Sequence, residues 1–250
     1  MKSKICALCA TFVASAGLAS AQSFTYNAQD LNHDSVIDPG NLSYKSSIAY
    51  IDDFALMYNP GSKSLDVSVT LSKNNHSPDG FWFVLSDGPN PKDDKNQYAI
   101  FYFDASKASP IVTAYVYDGK NNGDSWSNPG SLLASSQTGS SLTASASTSG
   151  DISTYQFNAD VSAINDSSLW PTSYNLGSDW EGAQFGEEVG IWFHTFELAE
   201  SSKYHKDGSI KKLKIKRDDY FDTNAQKTVP EPSALMLSLL GVGLLARRKR

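Results

Sequence analysis

The sequence predicts an all-β protein: a single β-sandwich of jelly-roll type, with a signal helix before it and a short hydrophobic helix after it. Three observations predict this. Val, Ile, Thr and the aromatics gather in short runs separated by Gly, Pro, Asn, Asp and Ser, which is the pattern of strands and turns. No stretch of the body keeps a helical apolar period for three turns. About 200 residues lie between the two terminal segments, enough for one domain with a sizeable core.

Residues 1–21 read as a secretory signal peptide. Lys2 and Lys4 supply the positive start, residues 5–18 are mostly apolar or small, and Ala19-Ser20-Ala21 is the small-x-small cleavage pattern. The mature chain is therefore expected to begin at Gln22. Cys9 has Cys6, not Leu, three positions before it, which argues against a lipoprotein. Cys6 and Cys9 are the only cysteines, so the exported body is expected to have no disulfide, thiol nucleophile or cysteine metal site.

The body is assigned to residues 22–222. Strands are expected near residues 47–58, 64–72, 80–86, 97–103, 111–117, 154–159, 188–196 and 210–217, and a single short helix within 161–169. Asn59-Pro60-Gly61 predicts a turn between the first two strands. Leu65, Val67, Val69 and Leu71 alternate with Asp66, Ser68, Thr70 and Ser72, as in a strand buried on one face. Phe81-Trp82-Phe83-Val84-Leu85 and Ile191-Trp192-Phe193 are apolar on both faces. Such strands are either covered on both sides or present an exposed aromatic platform. Residues 131–150, rich in Ser, Thr, Ala and Gly, read as a long loop or a weak edge hairpin. Residues 223–229 read as a polar linker.

Residues 22–230 carry 15 Lys and Arg against 26 Asp and Glu, a net charge of −11. An acidic body argues against nucleic acid, and against capture of anionic polymers by overall charge. It suits divalent cations and neutral sugars, although acidity also simply keeps an exported protein soluble.

Asp30, Asn32, Asp34 and Asp38 place oxygens at alternate positions, as needed to wrap a hard cation such as calcium in one tight loop. The segment resembles the calcium loop of EF-hands and dockerins. It departs from that pattern at Ser35, where a Gly should turn the chain, and at Asn41, where a bidentate acid should close the loop. Calcium binding and a solvated Asx-rich turn both remain open readings.

Sugars stack their C–H faces on aromatic rings while nearby polar groups bond the hydroxyls. Trp82, Tyr115, Tyr117, Trp126 and Trp192 are candidates for the stacking role, each against a core role. Trp126 is the best of them, because it lies in the turn-rich segment Gly123-Asp124-Ser125-Trp126-Ser127-Asn128. Asp79-Gly80 before the aromatic strand, the strand ending in Phe103-Asp104, and the later Val189-Gly190 strand resemble the concanavalin-like lectin and glucanase sandwiches. That resemblance implies a sandwich fold, sugar contact by Asp79 and a metal or sugar role for Asp104. The metal loop expected after Asp104 is replaced by Ala105-Ser106-Lys107. The glycan candidates are thus Asp79, Trp82, Asp104 and Trp126.

No catalytic residue is assigned. A glycosidase needs two carboxylates at a set separation. The acidic pairs here, Asp93-Asp94, Glu187-Glu188 and Asp218-Asp219, are adjacent and would point to opposite faces of a strand. The four histidines show no ligand spacing, and no nucleophile elbow, phosphate loop or dinucleotide fingerprint occurs.

The terminus carries the most specific signal. Pro230-Glu231-Pro232 is followed by an apolar run to Ala246 and then by Arg247-Arg248-Lys249-Arg250. The prolines stop a helix from extending backward. The apolar stretch can enter a bilayer, and the terminal cations hold its tip on the cytoplasmic side. At 14 residues, 233–246 would make about 21 Å of helix against a hydrocarbon core of about 30 Å, short for a permanent transmembrane helix. Residues 230–250 resemble the PEP-CTERM sorting tail of Gram-negative bacteria. The resemblance implies transient insertion in the inner membrane, processing by an exosortase-type enzyme, and delivery to the cell surface or extracellular matrix. The expected function is therefore a non-enzymatic exported protein whose activity, if any, is binding a glycan, such as extracellular polysaccharide, or a matrix partner. A polysaccharide-degrading enzyme and a purely structural matrix protein are the alternatives.

Overall fold

The computed structural model describes residues 22–27, 49–73, 78–86, 98–117, 132–166, 168, 182–183 and 188–228. The expected signal peptide before Gln22, the loop holding Asp30, Asn32, Asp34 and Asp38, Trp126, and the tail 230–250 lie outside them.

The strands are β1 Gln22–Asn27, β2 Ala49–Asn59, β3 Ser64–Lys73, β4 Gly80–Ser86, β5 Tyr98–Asp104, β6 Ile111–Tyr117, β7 Leu132–Ser135, β8 Leu142–Ser149, β9 Ile152–Asp160, β10 Glu188–Leu198, β11 Lys203–Tyr204, β12 Ile210–Lys212 and β13 Ile215–Thr228. The first sheet has the order β1-β2-β3-β9-β8 and the second β13-β10-β4-β5-β6-β7. Both are antiparallel throughout. A two-stranded β11-β12 hairpin stands apart from them. The consecutive strands β3 and β4 lie in different sheets, and so do β9 and β10. β9 pairs with β3 and β10 with β4, both antiparallel, so β3 leaves the first sheet at its Lys73 end and β9 leaves it at the opposite end, where Asp160 lies beside Ser64.

Local sequence explains the turn between β2 and β3 and the end of β9. Asn59 Oδ1 accepts from the amides of Gly61 at 2.9 Å and Ser62 at 3.2 Å, which folds the expected turn between β2 and β3. In β3, Leu65, Val67, Val69 and Leu71 are buried while the residues between them are half-exposed. The helix α1, Val161–Ile164, is one turn long, and its Asp160 cap accepts from the Ser162 amide at 2.9 Å.

The inward faces of the two sheets share one core. Phe81, Phe83, Phe101, Phe103 and Phe193 of the second sheet meet Phe54, Tyr155 and Phe157 of the first. Within the second sheet, Phe81 stacks on Phe103 and on Phe193, each with centroids 5.1 Å apart, and Phe83 stacks on Phe101 at 5.1 Å. Across the interface, Phe54 meets Phe83 and Phe193 edge-on, both at 5.7 Å. Such pairs add about 0.5–1.5 kcal/mol each beyond the apolar area they bury.

Several expectations need correction. Residues 223–228 are not a linker: β13 runs to Thr228 and pairs with β10, with Glu188 opposite Thr228 and Ile191 opposite Ala225. An outermost strand tolerates polar and charged residues, so its composition imitates a linker. Residues 131–150 are not one loop or hairpin. They hold β7 and β8, edge strands of different sheets. The expected strand at 210–217 is divided between β12 and β13, and the expected helix within 161–169 is confined to Val161–Ile164. Strand β1 was not anticipated; it begins at Gln22, the expected first residue of the mature chain.

Phe83 is fully buried and touches rings from both sheets. Phe83→Ala should lower the unfolding free energy by about 3–5 kcal/mol, read as a fall in the urea midpoint at unchanged slope. A loss well under 1 kcal/mol would contradict this packing.

Candidate functional site

Asp79, Gly80 and Asp104 come together at one end of the second sheet, whereas Gly190 lies opposite Ser86, at the other end of β4. Gly80 lies opposite Asp104 across the β4-β5 ladder. The Asp79 carbonyl accepts from the Ala105 amide at 2.7 Å, and its Oδ2 accepts from the Leu198 amide at 2.7 Å. Asp104 is 2 % exposed. Its Oδ1 accepts from Ser106 Oγ at 2.6 Å and from the Ser106 amide at 2.9 Å, and its Oδ2 from the Tyr204 hydroxyl at 2.7 Å. Burial pushes the Asp79 carboxyl above the usual carboxylate range, against the pull of the Leu198 amide, with Glu197 and Asp104 adding to the rise. Burial first, then the charge of Asp104, push the Tyr204 phenol far up, so it stays a donor. Both carboxylates thus serve as clasps between β4, β5, β10 and the hairpin. Gly80 is needed where it stands: an added Cβ would run into the Phe103 carbonyl and lie 2.9 Å from the Phe196 ring.

Trp82 is not a platform open to solvent. It is 3 % exposed and stacks on His194 with centroids 3.8 Å apart. With Val84, Ile100, Tyr102, Tyr115, Phe196 and Leu198 it forms a second apolar cluster on the outward face of this sheet. The β11-β12 hairpin, followed by Leu213 and Ile215, closes over part of that cluster. The Ile210 amide donates to the Tyr115 hydroxyl at 2.6 Å, Lys107 Nζ to the Ser202 carbonyl at 2.6 Å, and Thr138 Oγ1 to the Asp207 carbonyl at 3.3 Å. Tyr115, 1 % exposed, is therefore also committed to the fold. Of the four glycan candidates, the three that are described are structural in position.

Two recesses among the described residues are open to solvent. The first lies on the outward face of the first sheet and holds about 690 Å³. Strand register sets its lining in rows: Ala55, Ser68, Gln156 and Ser145 form one, and Met57, Asp66, Asn158 and Thr143 the next. Asn158 Nδ2 donates to Asp66 Oδ1 at 2.7 Å, which fixes both side chains. Met57, 43 % exposed, gives the recess an apolar patch. Hydroxyls, amides and one carboxylate thus surround a small apolar floor. No sequence motif marks these residues, because outward Ser, Thr and Asn look like any solvated strand face. The second recess holds about 710 Å³ and lies between the 105–110 segment and the hairpin. Lys107, Lys203, Lys211, Gln137 and Tyr204 are among its lining.

Among the described residues, no group of three or more His, Cys, Asp or Glu stands ready to hold a metal ion, and no helix is long and apolar enough to cross a membrane.

The two sheets and the hairpin define a β-rich domain with surface recesses of mixed polar and apolar lining. The end of the chain defines how it is handled: residues 228–250 match the family model of the PEP-CTERM protein-sorting motif. The chain therefore carries that motif, which marks a secreted protein sorted by exosortase and delivered to the cell surface in Gram-negative bacteria. A comparison with curated proteins found no match.

Burial lowers the pKa of His194 from 6.5 to about 3. The unfolded chain therefore takes up this proton more readily than the folded one. Stability present above pH 6.5 is lost as the pH falls toward 3. Asp79 acts with the opposite sign, in the window from 3.8 up to its raised value. Comparison of His194→Phe with the native chain isolates the histidine: the variant should lose less stability between pH 6.5 and 3 in thermal melts. Identical acid limbs would contradict the assignment.

Proposed function

We propose that this is a surface or matrix protein whose body, a jelly-roll β-sandwich, binds extracellular polysaccharide through the outward face of its first sheet and does not cleave it. Two antiparallel sheets that share one aromatic core support the sandwich description. The observation that carries the binding reading is the recess on that face. Its apolar floor suits the C–H side of a sugar ring, and the rows of hydroxyl and amide groups suit its hydroxyls. Hydrolysis would need a second carboxylate facing Asp66. Among the described residues Asp66 is the one acid in this lining, and Asn158 already bonds it.

The purified protein, incubated with the exopolysaccharide of its own host, should be retained without releasing reducing ends. Gln156→Ala together with Asn158→Ala should weaken retention by about tenfold or more. Equal retention by the variant, or release of reducing ends by the native chain, would overturn the reading.

The sorting tail should act independently of this face. Deletion of residues 230–250 leaves β13 whole, since that strand ends at Thr228. The deleted chain should fold, keep its binding and accumulate in a different fraction of the culture. Identical localisation of the deleted and native chains would contradict a sorting role.

A further inference from the structure

We propose that the recess between the 105–110 segment and the β11-β12 hairpin binds an anionic polysaccharide, one carrying carboxylate or sulfate groups along its chain. The overall charge of the body points the other way, but charge is not spread evenly. Seven of the 15 Lys and Arg of residues 22–230 fall within residues 203–217, beside a single acid, Asp207. The fold then sorts these cations. Lys212 and Lys214 pair with Glu200, and Lys216 pairs with Glu197. Lys203 and Lys211 instead line the recess together with Lys107. Both are exposed, and among the described residues neither has a carboxylate partner within salt-bridge distance.

The surroundings keep that positive charge available. Lys107 is held at the wall by its bond to the Ser202 carbonyl, an uncharged acceptor, so its charge is positioned and not cancelled. Asp207 turns its Oδ1 to the Ser209 amide at 2.9 Å and the Ser209 hydroxyl at 2.7 Å. Asp104 is buried and accepts from Tyr204. The phenol of Tyr204 is thereby committed to Asp104, and Tyr204 and Gln137 belong to the uncharged part of the lining. One exposed lysine attracts an anion only weakly in water, but several converging on one concave site raise the local anion concentration and bind in a salt-dependent way. A repeating polyanion can meet three separated ammonium groups at once, where a single small anion meets one. A membrane surface fits less well. Among the described residues its lining offers no large exposed apolar side chain to insert: Ile111 is only 9 % exposed, and Ala108 is small.

The full chain, kept in solution with a non-ionic detergent, should bind polygalacturonate at low salt, and binding should weaken steeply as salt is raised. The charge-reversed K203E/K211E variant should lose affinity by about tenfold or more, and K203A/K211A should lose less. Both should keep the native melting temperature, because neither side chain holds the fold together. Lys73→Glu, at an exposed position on the other sheet, should leave binding unchanged. Gln156→Ala with Asn158→Ala should also leave it unchanged, so this site and the sheet-face reading stand or fall separately. The proposal is overturned if polygalacturonate does not bind, if K203E/K211E binds it normally, or if Lys73→Glu weakens it equally. It is also overturned if K203E/K211E binds polygalacturonate normally but loses affinity for vesicles of anionic lipid.

Discussion

The contact between two layers of aromatic rings is the constraint on which the rest of this structure depends. Residues 22–250 contain no cysteine, so no disulfide can join the sheets in an exported chain. Their cohesion has to come from packing. Phe54, Tyr155 and Phe157 on one side and the phenylalanines of β4, β5 and β10 on the other provide it. The rings interdigitate edge-on and offset-stacked, in the geometries that suit the ring quadrupole. Both outward faces are then free for other uses, and the two sheets use them differently. The first leaves its face open and polar. The second buries much of its face under a hairpin.

That hairpin explains why an aromatic-rich strand need not be a binding platform. β4 is apolar on both faces because both faces are covered: Phe81, Phe83 and Leu85 by the first sheet, Trp82 and Val84 by the second apolar cluster. The carboxylates that resemble a lectin's sugar and metal contacts are used to hold the cover down. Asp79 binds the end of β10, and Asp104 binds Tyr204 of the hairpin. The same hairpin brings Lys203 and Lys211 beside Lys107, which lies about a hundred residues earlier in the chain.

What could be read from the residues and what could not divides along physical lines. β3 was legible because one of its faces is wet and the other dry, so its side chains alternate. The turn at Asn59 was legible because Asn, Pro and Gly each favour it for a local reason. β8 was not legible, because its small polar residues have little strand preference and its pairing with β9 does the work. The outer half of β13 reads as a linker for a related reason, since edge strands carry the residues that linkers carry. The candidate sites follow this division. The sorting tail is a contiguous signal and was visible directly. The polar rows on the first sheet exist only through the register of two strand pairs, β2-β3 and β8-β9, that lie far apart in sequence. The lysine recess is hidden when charge is averaged over the body, because three of its neighbouring lysines are neutralised by Glu197 and Glu200.

If the aromatic layer binds the two sheets into one unit, the sheets should open together. Native-state amide hydrogen exchange tests this most directly, by comparing β3 and β9 of the first sheet with β4 and β10 of the second. The account predicts that the slowest amides in all four strands share one opening free energy, equal to that of global unfolding. A first sheet that exchanges through a separate opening of much lower free energy, while the second stays protected, would contradict it.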